Sequence, residues 1–468
     1  MPNELAHSDG RAEWRVPHTW GPLSAAFACV LFLYGCSRTA ATQFVQYRPV
    51  SGIIGISTFL DVCKDTSNGA GMAQCNYQLA QLRSAGIART RIDFSWPEIE
   101  PVQGAFDFTG DDNMVDAVLG SGMSVTAVLG SGNAWADARG SNSYPPDDPQ
   151  TFADFAYRVA GHFKGRVERY EVWNEENTFR FWPPTADPKA YGALLEAASG
   201  AIKSADPDAL VAFGGVFMWD VYGSITGGAE FLDQVLTLYP DMSRYMDAVA
   251  FHPYMDYPPS VAPDYSSQDQ QSFDQMCDDI KAVLKKHGMS RPLWITEIGW
   301  PTYPPVDQSM QARWLARAYL EGIEQGIDSI DWYTFIDGSG ACTPAQECYF
   351  GMFSYITAPS FYTPAQPKQS FYALKTLSSV LGDTSFDRDV SDQFGLEGAR
   401  ALYFTSKDGS KKVWVFFSQH GTPDQVVSIR APSLAFYDIS GTTFTPVYTD
   451  QAYSLTVTTS PVYAVEQQ

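Results

Sequence analysis

Two short strings hold the residues best suited to chemistry: Tyr170-Glu171-Val172-Trp173-Asn174-Glu175 and Leu293-Trp294-Ile295-Thr296-Glu297-Ile298-Gly299-Trp300. Each is an apolar, strand-like run that reaches a carboxylate with aromatics beside it. A glutamate at the end of a buried strand is costly unless it is paired or used. Glu175 and Glu297 stand 122 residues apart (297 − 175), so a fold that joins the two strings brings two carboxylates onto one bond. Cleaving a glycosidic bond needs such a pair: one carboxylic acid protonates the leaving oxygen, and one carboxylate attacks or activates water. Trp173, Trp294 and Trp300 suit the same chemistry, because the C–H face of a sugar packs on an aromatic ring.

Around this pair the sequence offers a supporting cast. Asn174 is placed to hydrogen-bond a sugar hydroxyl. His252, Pro253 and Tyr254 close another strand-like run. Tyr254 is expected to donate to Glu297 and keep it ionised. His252 either contacts sugar and supports Glu175, or is a satisfied core histidine. Arg91 and Asp93 share one face of a strand by the period of two. Arg91 is expected to hold the nucleophile deprotonated, the alternative being a structural Arg91–Asp93 pair, and Asp93 is left open. Asn177 is a candidate polar sugar ligand. Of the tryptophans at loops and strand ends, which include Trp96 and Trp135, we expect Trp182, Trp300 and Trp332 to form sugar subsites. Glu176 is expected to face solvent. No Walker A loop, GxSxG elbow, HExxH or GxGxxG is present.

The elements that must position these groups are legible as alternation. Strand-like runs at 52–57, 89–94, 124–129, 169–173, 210–214, 248–252, 293–296 and 330–335 are separated by helical patterns at 76–85, 152–162, 190–204, 231–238, 273–287 and 309–325. Repeated strand–helix alternation predicts an α/β fold, a (β/α)8 TIM barrel spanning 50–382. Its functional side chains then fall at the C-terminal strand ends, where barrels keep their chemistry. From about Asp383 short alternating strands and turn pairs (Asp408-Gly409, Ser440-Gly441) predict a small antiparallel β-sandwich over 383–468, to which residues 41–50 add a strand. Loops after the sixth and eighth strands are rich in Tyr, Pro and Ser, and are expected to wall an extended cleft.

Of the 468 residues, 45% are apolar and 14% aromatic, enough for a sizeable core. A net charge of −22 argues against nucleic acid and anionic membrane surfaces as partners. Arg11 and Arg15 precede an apolar run at 23–34 that is too short to span a bilayer, which reads as an export signal. It ends Leu33-Tyr34-Gly35-Cys36, similar to a bacterial lipobox. Residues 1–36 are therefore expected to be signal and lipobox, with a lipid anchor at Cys36 and a periplasmic or outer-membrane location; ordinary secretion is the alternative. Of the seven cysteines, Cys63 with Cys75 and Cys342 with Cys348 form close pairs that read as disulfides in an exported protein. Cys277 is then left over and buried.

At these residues the chain resembles clan A glycoside hydrolases, Trp173-Asn174-Glu175 matching the acid/base motif and Thr296-Glu297 with Gly299-Trp300 the nucleophile motif. Within the clan it looks most like family 39. The stretches Arg91-Ile92-Asp93, Trp96, Ile99-Glu100-Pro101 and Gly104-Ala105-Phe106-Asp107-Phe108 carry that likeness. So do Val172 to Glu175, Asn177, Phe181-Trp182 and Ala186-Asp187-Pro188, which are similar to exopolysaccharide-associated members. The family usually has Pro where Glu176 stands. The resemblance implies a retaining β-glycosidase acting on a poly- or oligosaccharide, with Glu297 as nucleophile, Glu175 as acid/base, and no metal or organic cofactor. Endo-action on an exopolysaccharide is the expectation. The alternatives are an exo-acting β-xylosidase-like enzyme and a non-catalytic carbohydrate-binding component of a polysaccharide secretion system.

Overall fold

The computed structural model describes residues 47–466 except 68, 220–226, 256–261, 264–270, 339–341, 343–344 and 356–365. The signal, Cys36, residues 41–46 and much of the loops after the sixth and eighth strands lie outside the described residues.

Eight parallel strands close into a barrel in sequence order, with β1 pairing β8: β1 (Ile54–Ser57), β2 (Arg89–Asp93), β3 (Ser124–Leu129), β4 (Arg169–Asn174), β5 (Leu210–Phe217), β6 (Ala248–His252), β7 (Leu293–Ile298) and β8 (Ser329–Tyr333). The helices are α1 (Gly69–Ser84), the single turn α2 (Trp96–Ile99), α3 (Thr109–Gly120), α4 (Pro149–His162), α5 (Pro188–Ala205), α6 (Gly228–Leu238), α7 (Phe273–Lys286), α8 (Gln308–Glu324) and α9 (Gln369–Leu381). The starts of α4 and α5 lie ahead of the apolar periodicity because capping chemistry sets them. Asp148 and Asp187 cap α4 and α5, each followed by Pro at the first helical position, and Ser272 with Gln275 forms a capping box on α7.

Beyond the barrel, the two-residue strands β9 (Phe353–Ser354) and β10 (Gln366–Pro367) pair before α9. Then follow β11 (Thr384–Asp389), β12 (Ala399–Ser406), β13 (Lys412–Ser418), β14 (Gln425–Ile429), β15 (Leu434–Tyr437), β16 (Thr443–Phe444), β17 (Val447–Thr449), β18 (Ala452–Val457) and β19 (Val462–Glu466). They form a six-stranded antiparallel sheet, β11-β12-β13-β19-β15-β16, and a three-stranded one, β14-β18-β17. Phe416, Phe436, Val427, Leu455 and Val457 pack in the core between them.

Of the segment 41–50, expected to add a strand to the sandwich, residues 47–50 are described, and these form no strand. Instead the Tyr47 hydroxyl donates to the Asp383 carbonyl, Arg48 N–H donates to Ser385 Oγ (3.2 Å), and Arg48 pairs with Asp328. Side chains, not a backbone ladder, tie this segment to the start of the sandwich. Disulfides join Cys63 to Cys75 and Cys342 to Cys348, and Cys277 is a buried thiol.

Three irregularities shape the mouth of the barrel. The β5–β6 register slips between Phe213 and Val216, and the β7–β8 register between Ile295 and Ile298. Such bulges re-aim side chains at a barrel rim, and Glu297 sits inside the second. At the end of β4, Trp173 and Glu175 take positive φ (75° and 45°). Left-handed backbone at non-glycine residues costs about 1–3 kcal/mol each and persists where the surroundings enforce it. Here Glu175 N–H donates to the Gly215 carbonyl (3.1 Å) and Trp173 Nε1 to the Phe181 carbonyl (2.9 Å).

Candidate active site

Arg91, on β2, is the hub of the mouth. Its Nε and Nη2 grip both oxygens of Glu171 (3.0 and 2.7 Å), Nη2 also reaches Asn174 Oδ1 (2.7 Å), and Nη1 donates to Ser57 Oγ (3.1 Å) and Glu297 Oε1 (2.7 Å). Four strands are thereby fixed around one planar cation, the geometry for which a guanidinium is suited. The partners are Glu171 and Glu297, so the alternative Arg91–Asp93 pair is not formed.

The second oxygen of Glu297 accepts from the Tyr254 hydroxyl (2.9 Å). Burial alone would raise the Glu297 pKa, but the charges of His252 and Arg91 and the hydrogen bonds from Tyr254 and Arg91 outweigh it and hold the carboxyl below its ordinary value. Burial, and then the neighbouring Glu297, push the Tyr254 phenol well up, so it remains a donor. His252 is fully buried; its Nδ1 meets Glu175 Oε1 at 2.9 Å and its Nε2 meets Thr296 Oγ1 at 3.1 Å. It supports Glu175 from behind the cleft surface. Room for this imidazole comes from β5, because a Cβ on Gly215 would lie 2.2 Å from His252 Nε2 and 2.8 Å from Glu171 Oε1.

Among the described residues, Glu175, His252 and Glu297 are the group compact enough to hold a metal ion: one donor atom from each lies within 4.8 Å of the others. Those atoms are already engaged, by Arg91 and Tyr254 on Glu297 and by His252 on Glu175. The arrangement therefore presents two carboxyl groups to the cleft. A cleft of about 550 Å³ opens over them, with Trp173, Phe217, Tyr254, Tyr333 and Phe350 in its wall and Phe59 and Arg180 also lining it.

Several expected ligands do not reach this cleft. Trp332 is fully buried, and by the period of two it faces outward from β8, where it packs on Trp300 (6.0 Å), which in turn packs on Trp314 of α8 (5.8 Å). Trp182 is wedged between Trp173 and Tyr191 of α5. All three are core residues. Trp294 lies in the barrel interior with Ala212, Ala248 and Ala250, under the Arg169 guanidinium, and Trp96 is buried against Phe152 and Phe155. Asn177 is a backbone clamp, accepting from Phe217 N–H (2.9 Å) and donating to its carbonyl (2.8 Å). Glu176, expected in solvent, is fully buried toward Gly214 and beside Tyr191 of α5. Asp93 is exposed at the rim.

Glu171 was legible and missed. A buried arginine has five N–H donors, more than one carboxylate can take up, and Glu171 stands four residues before Glu175 on the same strand. Phe59, Phe217, Tyr333 and Phe350 gave no comparable signal, because only the loop paths bring them to the cleft.

A family model described as cellulase (glycosyl hydrolase family 5) matches residues 47–334, the whole barrel. The chain belongs to this glycosyl hydrolase family. A curated relative, a β-xylosidase of Geobacillus stearothermophilus, is 29% identical over 269 residues, 53% of this chain and 49% of the relative. The chain thus spans about half the length of the curated relative it matches. Among solved structures, a family 39 glycoside hydrolase from Bacteroides cellulosilyticus WH2 superposes with a TM-score of 0.68 at 21% identity, covering 90% of this chain and 81% of the other. A monomeric β-xylosidase from Caulobacter crescentus CB15 gives 0.61 at 17% identity, covering 90% and 96%. At these identities the likeness is one of fold. The expectation of a clan A, family 39-like hydrolase agrees with these findings.

Proposed function

We propose that the protein is a retaining β-glycosidase acting on a poly- or oligosaccharide by double displacement. The observation that carries this reading is the spacing of the two carboxylates. An oxygen of Glu175 and one of Glu297 lie within 4.8 Å, in keeping with the ~5–5.5 Å of retaining enzymes and short of the ~6.5–9.5 Å that leaves room for an inverting water. In the first step Glu297 attacks the anomeric carbon. The bond to the leaving oxygen breaks as Glu175 gives that oxygen its proton, and a glycosyl ester on Glu297 results. In the second, water attacks the same carbon, Glu175 takes its proton, and Glu297 departs as carboxylate. Arg91 and Tyr254 keep Glu297 ionised and aimed. Asn174, held by Arg91, lines the cleft and presents its amide to the sugar.

The finer reading is endo-action on an exopolysaccharide, supported by a cleft lined by aromatic and polar groups together. A second reading, an exo-acting β-xylosidase-like enzyme, is favoured by the name of the curated relative. Export belongs to the same proposal: two disulfides suit an oxidising compartment, and Cys36→Ser should release the protein from membranes if Cys36 carries a lipid.

The deciding experiment incubates the purified protein and Glu297→Ala with β-linked polysaccharides and aryl β-glycosides, and reads products by mass spectrometry and anomeric configuration by NMR. Products from the parent alone, with retained configuration, are expected, and their sizes separate endo from exo action. No release by the parent, with polysaccharide binding equal in the variant, would replace the hydrolase by a carbohydrate-binding component.

A further inference from the structure

Beside the catalytic cleft lies a second hollow of about 220 Å³, at the C-terminal ends of β1 and β2. The two cavities share the rim formed by Phe59, Asp93 and Ser95, and the far wall of the second is made by Asp61, Lys64 and Glu98. Phe59 is 57% exposed, although a large apolar ring gains by burial. An edge contact with Tyr333 (6.4 Å, 83°) holds it in place. Asp93 is exposed and makes no hydrogen bond or ion pair with the described residues, so its oxygens are open acceptors on the path between the cavities. Lys64 is not available as a counter-charge, since its ammonium is held by Glu98 (2.8 Å), Asp61 (3.4 Å) and Asp111 (3.6 Å).

We propose that this hollow is an additional sugar subsite, taking the glycosyl unit next along the chain from the one in the catalytic cleft. The exposed Phe59 ring offers an apolar platform for a pyranose face, and Asp93 accepts from its hydroxyls. The carboxylates of Asp61, Asp93 and Glu98 outnumber the single ammonium, so the unit it takes is uncharged and a uronate is disfavoured by like-charge repulsion. The inference rests on the glycosidase reading and deepens it: the substrate is an oligosaccharide chain of neutral sugars, at least one unit longer than the catalytic cleft requires.

The test measures kcat/KM of the full chain, Phe59→Ala and Asp93→Asn on 4-nitrophenyl β-xyloside and β-glucoside, on xylo- and cello-oligosaccharides of increasing length, and on glucuronate-substituted xylo-oligosaccharides. Both positions are exposed, so neither substitution opens a core cavity. In each variant kcat/KM on the longest oligosaccharide should fall further than that on the aryl glycoside, so that their ratio drops about tenfold. Asp93→Asn should also narrow the preference for unsubstituted over glucuronate-bearing chains. A ratio unchanged in either variant, with the parent active, overturns the subsite alone. A parent that cleaves none of these neutral chains overturns the subsite, and the glycosidase reading falls with it only if the β-linked polysaccharide panel also yields no product.

Discussion

Arg89 and Arg91 stand two residues apart on β2, on the same inward face, and both are buried against carboxylates. At the floor of the barrel, Arg89 Nη2 meets Asp331 Oδ1 at 2.7 Å, and its remaining contacts are the carbonyls of Gly52 and Ile53 at 3.5 and 3.3 Å. Arg89 Nε and Asp331 Oδ2 have no partner among the described residues. Even the space for the pair is conceded by β1, where a Cβ on Gly55 would lie 1.8 Å from Asp331 Oδ1. At the mouth, Arg91 makes five hydrogen bonds that tie both oxygens of Glu171, one of Glu297, Asn174 and Ser57 together. The difference teaches that residue type and burial do not distinguish a structural ion pair from a functional one. Completeness of hydrogen bonding does, because a group that must hold its geometry through a reaction needs every donor spoken for.

The largest effects are expected at the mouth of the barrel. Glu175→Ala should cost about 10⁴-fold in kcat/KM on substrates with poor leaving groups and far less in the glycosylation step with very good ones, which need no proton. Single-turnover kinetics on aryl glycosides of graded acidity check this, and equal losses across the series would remove Glu175 from the acid/base role. Arg91→Met should lower kcat about 10³-fold, since the partner that holds and charges the nucleophile is gone. It should also move the acid limb of the pH–rate profile upward. With Arg91 present the Glu297 pKa lies below its ordinary value; without its charge and hydrogen bond less opposes burial, so the pKa rises and protonated Glu297 persists to higher pH. An acid limb that stays in place would make Arg91 no more than the structural kind of pair seen at Arg89.

At the floor the effect should fall on stability. Arg89→Met leaves Asp331 buried without its partner and should destabilise by about 3–5 kcal/mol in urea unfolding. Adding Asp331→Leu should recover most of that loss, because an imperfectly satisfied buried pair can be replaced by apolar packing. A comparable loss from Arg89→Met in kcat of the folded protein would blur the distinction between the two depths.

The same contrast explains what could be read from the sequence. Strand–helix alternation fixes the barrel's order, and Glu175, Glu297, Arg91, His252 and Tyr254 each end or face a strand, so period and position place them. Trp182, Trp300 and Trp332 misled because a tryptophan near a strand end is equally at home under a helix; which it is depends on the pleat and on Trp314 and Tyr191, contributed by distant helices. The length of β5 and β7 was understated, since bulges carry each strand past the point where its apolar run breaks. The strands β11, β15 and β19 went unread for a related reason: their alternation is short, and it is pairing across the sheet that makes them strands.

The smallest expected effect separates two adjacent residues. Glu175 faces the cleft, backed by His252, whereas Glu176 points the other way, fully buried beside Tyr191. Burial above all, with the nearby charges of Glu171 and Glu175, outweighs the hydrogen bonds from its own N–H and from Tyr191 and pushes its pKa well above the ordinary value. In the unfolded chain Glu176 releases its proton near pH ~4.3, but in the folded protein it retains it to higher pH. As pH rises through that interval the unfolded state gains from ionising and the folded state does not, so this side chain erodes stability with increasing pH. Glu176→Gln keeps the shape and removes the titration. It should match the parent near pH 4 and exceed it by about 1 kcal/mol or more at neutral pH. Urea unfolding of both proteins across that pH range reads the gap. A difference that does not grow with pH would mean that Glu176 ionises in the folded protein as it does in the unfolded chain, and the contrast with Glu175 would then be one of direction only.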